Sequence, residues 1–255
     1  MKEAVKLYRQ ATEQGYAPSQ LNLAKCLENG EGVAEDMKEA VKWYRKAAEQ
    51  GIIEAQFKLA QCYANGNGTA EDMKEAVKWY RSAAEQGYAP AQNNLGKCYA
   101  RGNGVAQDRQ EAAKWYQLAA EQGYAEAQYN LGNYYDGGVV NVDNMKEAIK
   151  WFRKAADQGY AKAQCAVGFY YEEGYAVTKN YNEAVKWYRK AIEQDSAMGY
   201  LSLGRCYYLG YGVNKDNSEA RKLFQKSKEK AIEQEDEEVL GYLKEAPSDI
   251  KVFFD

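Results

Sequence analysis

The chain has 255 residues, 45% of them hydrophobic and 28% charged, with a formal net charge of -3, which fits one soluble globular unit or one elongated array and excludes a disordered chain. It holds only 3 prolines and no histidine, which argues for helices and removes histidine-based nucleophile systems, the histidine general base and imidazole zinc sites. No apolar run approaches the ~20 residues that a membrane helix requires, so membrane insertion is not expected.

In chain order, one period of 36 residues governs everything: copies begin at Met1, Met37, Met73, Arg109, Met145, Tyr181 and Asn217. A fixed period of this size means stacked supersecondary units, none of which can bury its apolar face alone. Within 73–108, Ala76, Trp79, Tyr80, Ala83 and Ala84 fall at helical spacing up to Gly87, which predicts a first helix with a glycine stop. Pro90 then opens a second helix that turns Ala91, Leu95, Cys98 and Tyr99 inward until Gly102 and Gly104 break it. Asp36, Asp72, Asp108, Asn144, Asn180 and Asp216 stand just before the later first helices and are the predicted N-caps. The organisation is therefore six full repeats at 1–36, 37–72, 73–108, 109–144, 145–180 and 181–216, a seventh first helix at 217–228, and an acidic capping segment at 229–255. That last segment carries nine acids against three bases; Val239, Leu240 and Leu243 are expected to seal the stack and Pro247 to close the helix, with Val252, Phe253 and Phe254 as an alternative docking motif.

Columns of small residues explain how the units could stack closely. Ala40, Ala76, Ala112, Ala148, Ala184 and Ala220 keep one first-helix position small, and Ala24, Ala60, Gly96, Gly132, Gly168 and Gly204 do the same in the second helices. The column Trp43, Trp79, Trp115, Trp151 and Trp187 is expected to fill the space beside them as core.

On KEAVKWYRKAAEQG at 38–51, on the AQxxLGxxYxxGxGV pattern at 91–105, and on their recurrence through 216, the chain resembles the Sel-one-like repeat (SLR) family, relatives of tetratricopeptide repeats. The resemblance implies an all-α fold, a right-handed α-solenoid or superhelix of helix-turn-helix repeats whose first helices line a concave face. It also implies a non-catalytic scaffold or adaptor for protein-protein interaction, with no catalytic residues common to the family.

Several positions break the pattern. Val140 and Ala176 replace the second loop glycine, so those two loops are expected to be reshaped, and Asp195 and Tyr200 replace the turn glycine and the usual glutamine of the sixth copy. Cys26, Cys62, Cys98 and Cys206 share one column, ~8–10 Å apart by helix packing, too far for disulfides, so all five thiols including Cys165 are expected free. The resemblance adds that a cysteine-rich branch of the family pairs two cysteines inside each repeat, and this chain lacks the second, which favours a reducing, cytoplasmic location, or a periplasmic or secreted one if an upstream leader was removed. Gly66-Asn67-Gly68 and Gly102-Asn103-Gly104 imitate phosphate loops, but lie between helices without a preceding strand or a following Lys-Ser/Thr.

The expected work is binding, with no cofactor and no metal. A hydrolase acting through a lone Ser or Cys, and a nucleic-acid-binding repeat protein, are the alternatives; missing histidine and the alternation of surface charge weigh against them. On the first helices Lys42, Lys78, Lys114, Lys150 and Lys186 form a ladder beside Arg45, Arg81, Arg153 and Arg189. One account pairs each Arg with an acid four residues on, such as Arg45 with Glu49. The other places both columns on the concave face, where they would bind an acidic or carboxylate-bearing segment of a partner protein.

Overall fold

The computed structural model describes residues 1–138 and 141–245; Val140, Pro247, Val252, Phe253 and Phe254 lie outside the described residues. The fold is an all-α solenoid of fourteen helices among the described residues, without strands. The first helices are α1 (Lys2–Glu13), α3 (Met37–Glu49), α5 (Met73–Glu85), α7 (Arg109–Glu121), α9 (Val142–Asp157), α11 (Tyr181–Ile192) and α13 (Asn217–Glu233). The second helices are α2 (Ala17–Asn29), α4 (Ile53–Asn65), α6 (Ala89–Arg101), α8 (Ala125–Asp136), α10 (Ala161–Glu173) and α12 (Ala197–Leu209), and α14 (Glu237–Glu245) follows the last first helix. They form two compact units, one over Met1–Tyr124 and one from Ala125 onward.

In the first unit, Asp36, Asp72 and Asp108 cap α3, α5 and α7 through backbone N-H groups two or three residues on. Each second helix packs most tightly on the first helix of the following copy, and Gly96 shows why: a Cβ there would lie 2.7 Å from the Tyr116 ring. The large residues facing the small columns are thus Tyr44, Tyr80 and Tyr116, all buried, while Trp43, Trp79 and Trp115 are only partly buried. In this unit the Trp column flanks the core, with Lys46 over the Trp43 ring at 4.3 Å, whereas Trp151 in the second unit is buried as the sequence suggested. Turn glutamines tie successive copies: Gln50, Gln86 and Gln122 donate to Gln20, Gln56 and Gln92 at 2.9, 2.8 and 2.7 Å.

The loop glycines of this unit face a close approach as well as positive φ. At Gly104 (φ +73) a Cβ would meet the Met73 carbonyl oxygen at 2.2 Å, and at Gly68 (φ +71) the Met37 oxygen at 2.3 Å. No side chain fits where one loop crosses the start of the preceding first helix.

In the second unit the same packing recurs, with Gly132 against Phe152, Gly168 against Tyr188 and Gly204 against Phe224. The departures are local. Helix α9 begins two residues before the junction column and is capped by Asn141, whose side chain accepts from the Asn144 N-H, so Asn144 is not the cap the sequence suggested. Ala176 keeps a positive φ of 53° in the place of a loop glycine. Asp195 adopts φ 57° in place of the turn glycine, and Ser196 after it caps α12 by accepting from Gly199 N-H. Helix α13 runs unbroken past Lys228 to Glu233, beyond the boundary the period suggested. Val239 and Leu243 of α14 are buried with Ala197, Leu201, Phe224 and Ala231, which covers the apolar end of this unit. All five cysteines are free and buried.

Candidate functional site

Within the second unit the second helices touch one another, α10 meeting α12 and α12 meeting α14. Their shared face encloses a cavity of about 450 Å³, within the range of sites that hold small ligands or peptide side chains. Helix α8 contributes Tyr129, Asn133 and Asp136; α10 contributes Lys162, Cys165, Phe169 and Tyr170; α12 contributes Met198, Ser202 and Arg205. Gln234, Asp236 and Glu238, at the end of the unit, close one side.

The floor is aromatic and braced. Phe152 lies 5.7 Å from the Tyr129 ring and 5.6 Å from that of Tyr170, and Phe169 is 40% exposed with its ring 5.8 Å from Tyr175. A partly exposed aromatic in a concavity offers apolar area at low entropic cost on binding. The Tyr170 hydroxyl donates to Asp136. Behind the wall, Glu172, 2% exposed, accepts from the Tyr188 hydroxyl at 2.6 Å and from Arg205 Nη2 at 3.3 Å. Buried Glu172 thereby holds the part-exposed Arg205 and offsets its charge.

The electrostatics of the cavity are acidic. Burial pushes the Cys165 thiol up to about 12 against the lowering effect of its contact with Ser196, and the Asp236 and Glu238 carboxylates add to the rise. Tyr129 is raised chiefly by burial, with Glu238 and Asp236 contributing in the same sense. Two separate groups therefore feel a negative potential from the α14 side. A thiol so protonated is the reverse of an activated nucleophile, and no cluster of metal-ligating residues occurs among the described residues.

The nine residues picked out on the first helices stand elsewhere. None lines the cavity, whose side chains in this unit come mostly from second helices, with Phe152 of α9 at its floor. Lys78, Lys114, Lys150 and Lys186 are exposed and pair with the glutamate three residues earlier, at 3.4, 2.9, 3.1 and 2.5 Å. Lys42 is exposed too, and its neighbour Glu39 accepts instead from Arg9 at 2.8 Å. Arg45, Arg81 and Arg153 do not pair along their helices: each reaches the second helix of its own copy, bonding to the hydroxyl of Tyr63, of Tyr99 at 2.5 Å and of Tyr171 at 2.6 Å, while Arg189 remains exposed. The sequence reading looked four residues ahead for acids, and the partners lie three behind or across the hairpin.

The residues it passed over carried a signal of their own. Phe169 shares a column with Lys25, Gln61, Lys97, Asn133 and Arg205, and Lys162 one with Pro18, Glu54, Pro90, Glu126 and Met198. In a repeat, invariant columns serve the stack, and columns that change from copy to copy on one face are free to serve a ligand.

Comparison with known proteins agrees with this geometry. The Sel1 repeat profile matches residues 1–16, 17–52, 53–88, 89–124, 125–160, 161–196 and 197–231, each full match starting at a second helix and ending with the first helix on which it packs. A protective antigen of uropathogenic Escherichia coli with an SLR fold is 38% identical over 89% of this chain, with a TM-score of 0.80, and this chain spans about half, 49%, of its length. A Sel1 repeat protein from Oxalobacter formigenes is 32% identical over 84% of this chain and 86% of its own, with a TM-score of 0.78. An immunity protein from Pseudomonas aeruginosa, 21% identical over 84% of this chain and 81% of its own with a TM-score of 0.53, shares the fold. A search of curated proteins finds no match.

Proposed function

The chain belongs to the Sel1 repeat family, and from that premise we propose that it is a scaffold holding a short segment of a partner protein in the second-helix groove of residues 125–245. Sel1 repeat proteins are generally non-enzymatic scaffolds for protein interaction. What supports the groove is one observation: Phe169, Lys162 and Met198, where the columns change most, converge on a single cavity of about 450 Å³ with an aromatic floor. A hydrolase would need an activated nucleophile there, and Cys165 is held protonated. Carboxylates at Asp136, Asp236 and Glu238 repel the phosphates of a nucleic acid.

The test is selection of a random decapeptide display library on the immobilised full chain, with the Phe169→Asp variant in parallel. A charge in place of an exposed ring removes the apolar anchor, so bound peptides should lose at least about tenfold in affinity for the variant. Peptides that bind both forms equally would refute the groove as the binding surface.

A further inference from the structure

Resting on that reading, we propose that the segment the groove selects joins a large apolar side chain to an adjacent Lys or Arg, rather than to an acid. The floor of Tyr129, Phe169 and Met198 takes the apolar group, and the carboxylates that share the lining, Asp236 and Glu238 at the start of α14 and Asp136 on α8, take the cation.

Charge accounting at the cavity decides the sign. Five ionisable groups with full charges line it: Asp136, Asp236, Glu238, Lys162 and Arg205. The Arg205 charge is held by buried Glu172 at 3.3 Å, so three carboxylates face one available cation, Lys162. Cys165 and Tyr129, on α10 and α8, both register the field of Asp236 and Glu238 across the space between. Asp136 keeps the Tyr170 hydroxyl and Asp236 the Val239 N-H, but an occupant without a positive charge would strip water from their remaining lone pairs and from Glu238, whereas a cation replaces that water with a direct pair. An acidic occupant would add repulsion to the same loss. The Lys ladder on the first helices, which suggested an acidic partner, has no part in this balance because none of it lines the cavity.

The chain itself carries such chemistry just beyond α14, in Ile250, Lys251, Val252, Phe253 and Phe254. The experiment therefore uses four full-length proteins in the same decapeptide display: wild type, Phe169→Asp, Glu238→Lys, and a triple variant Lys251→Glu, Phe253→Ser, Phe254→Ser. Glu238 is exposed in the first turn of α14, so its reversal leaves the fold intact; far-ultraviolet circular dichroism verifies this. On wild type, peptides with Lys or Arg within two positions of an aromatic or Leu are expected to be enriched and peptides with Asp or Glu there depleted. Glu238→Lys should weaken the enriched peptides about tenfold and shift enrichment toward acidic neighbours. Enrichment that depends on Phe169 yet ignores charge, or favours acids, overturns this inference and leaves the groove standing. Enrichment that survives Phe169→Asp, or none on any of the four proteins, overturns the groove as well. Peptides captured only by the triple variant would make residues 250–254, not a partner, the occupant, and overturn the inference in that direction.

Discussion

The two units are built from one repeat yet treat their second-helix faces differently. In residues 1–124 that face is polar and balanced against itself: Lys25 pairs with Glu54 at 2.6 Å and Lys58 with Glu28 at 3.1 Å, both between α2 and α4. In residues 125–245 the matching positions include Phe169 and Met198, and the face opens into the acid-walled cavity. The lesson is that the stack depends on the buried columns of Ala, Gly and Tyr or Phe, which both units retain, and tolerates almost any choice on the exposed side of the second helices.

The largest way to break this comparison is at its buried carboxylates. Glu172→Ala strands the buried Tyr188 hydroxyl and removes the partner of the part-exposed Arg205, and should destabilise the second unit by about 2–4 kcal/mol. Glu28→Ala in the first unit also removes partners, Tyr44 and Lys58, but from a site nearer water, and should cost about 1–2 kcal/mol. Urea denaturation followed by circular dichroism compares them, and equal losses would show that the two walls are not different in kind.

Next come the loops. Gly104→Ala forces a Cβ toward the Met73 carbonyl at positive φ and should cost about 1–3 kcal/mol, whereas Ala176→Gly in the second unit relieves strain at similar φ and should change stability by less than about 1 kcal/mol. Thermal midpoints of the pair decide it; a harmless Gly104→Ala would mean the crossing is slack. Smaller again are the caps. Asp72→Ala and Asn141→Ala should each cost about 1 kcal/mol, the second showing that the cap of α9 has moved three residues ahead of the repeat column. A silent Asn141→Ala would contradict the early start of α9.

The thiols sharpen the comparison without a stability change. Burial raises Cys62 to about 11 and Cys165 and Cys206 to about 12, and raises Cys98 as well, so little thiolate forms at pH 8 in either unit. A maleimide should label the folded chain slowly and all five cysteines once it is unfolded without reductant; fewer than five would reveal a bridge.

The fold was legible because its determinants repeat. The small columns, the turn glycines and the junction Asp or Asn recur in five to seven copies and report the same helices each time, and the family resemblance followed from the same residues. The phase was harder to see. Reading each unit from its first helix hid that the tight pair is a second helix with the next first helix, the pair in which Gly168 abuts Tyr188. The proposed groove was not legible for the opposite reason to the fold's success: Phe169 and Lys162 do not recur, and a search for recurring charges passes over them. The buried carboxylate Glu172 was hidden too, because its partners Tyr188 and Arg205 come from helices 16 and 33 residues away, a pairing that only the stacked geometry brings together.

The central claim is that the second-helix groove, and not the first-helix lysine ladder, carries the binding surface. Its most direct test is the affinity of one display-selected peptide, by fluorescence anisotropy, for wild type, for Phe169→Asp, and for a variant with Lys114→Ala, Lys150→Ala and Lys186→Ala combined. The account predicts at least about a tenfold loss for Phe169→Asp and a change under about twofold for the triple lysine variant; the reverse pattern, with the lysine variant losing binding while Phe169→Asp keeps it, would contradict the account.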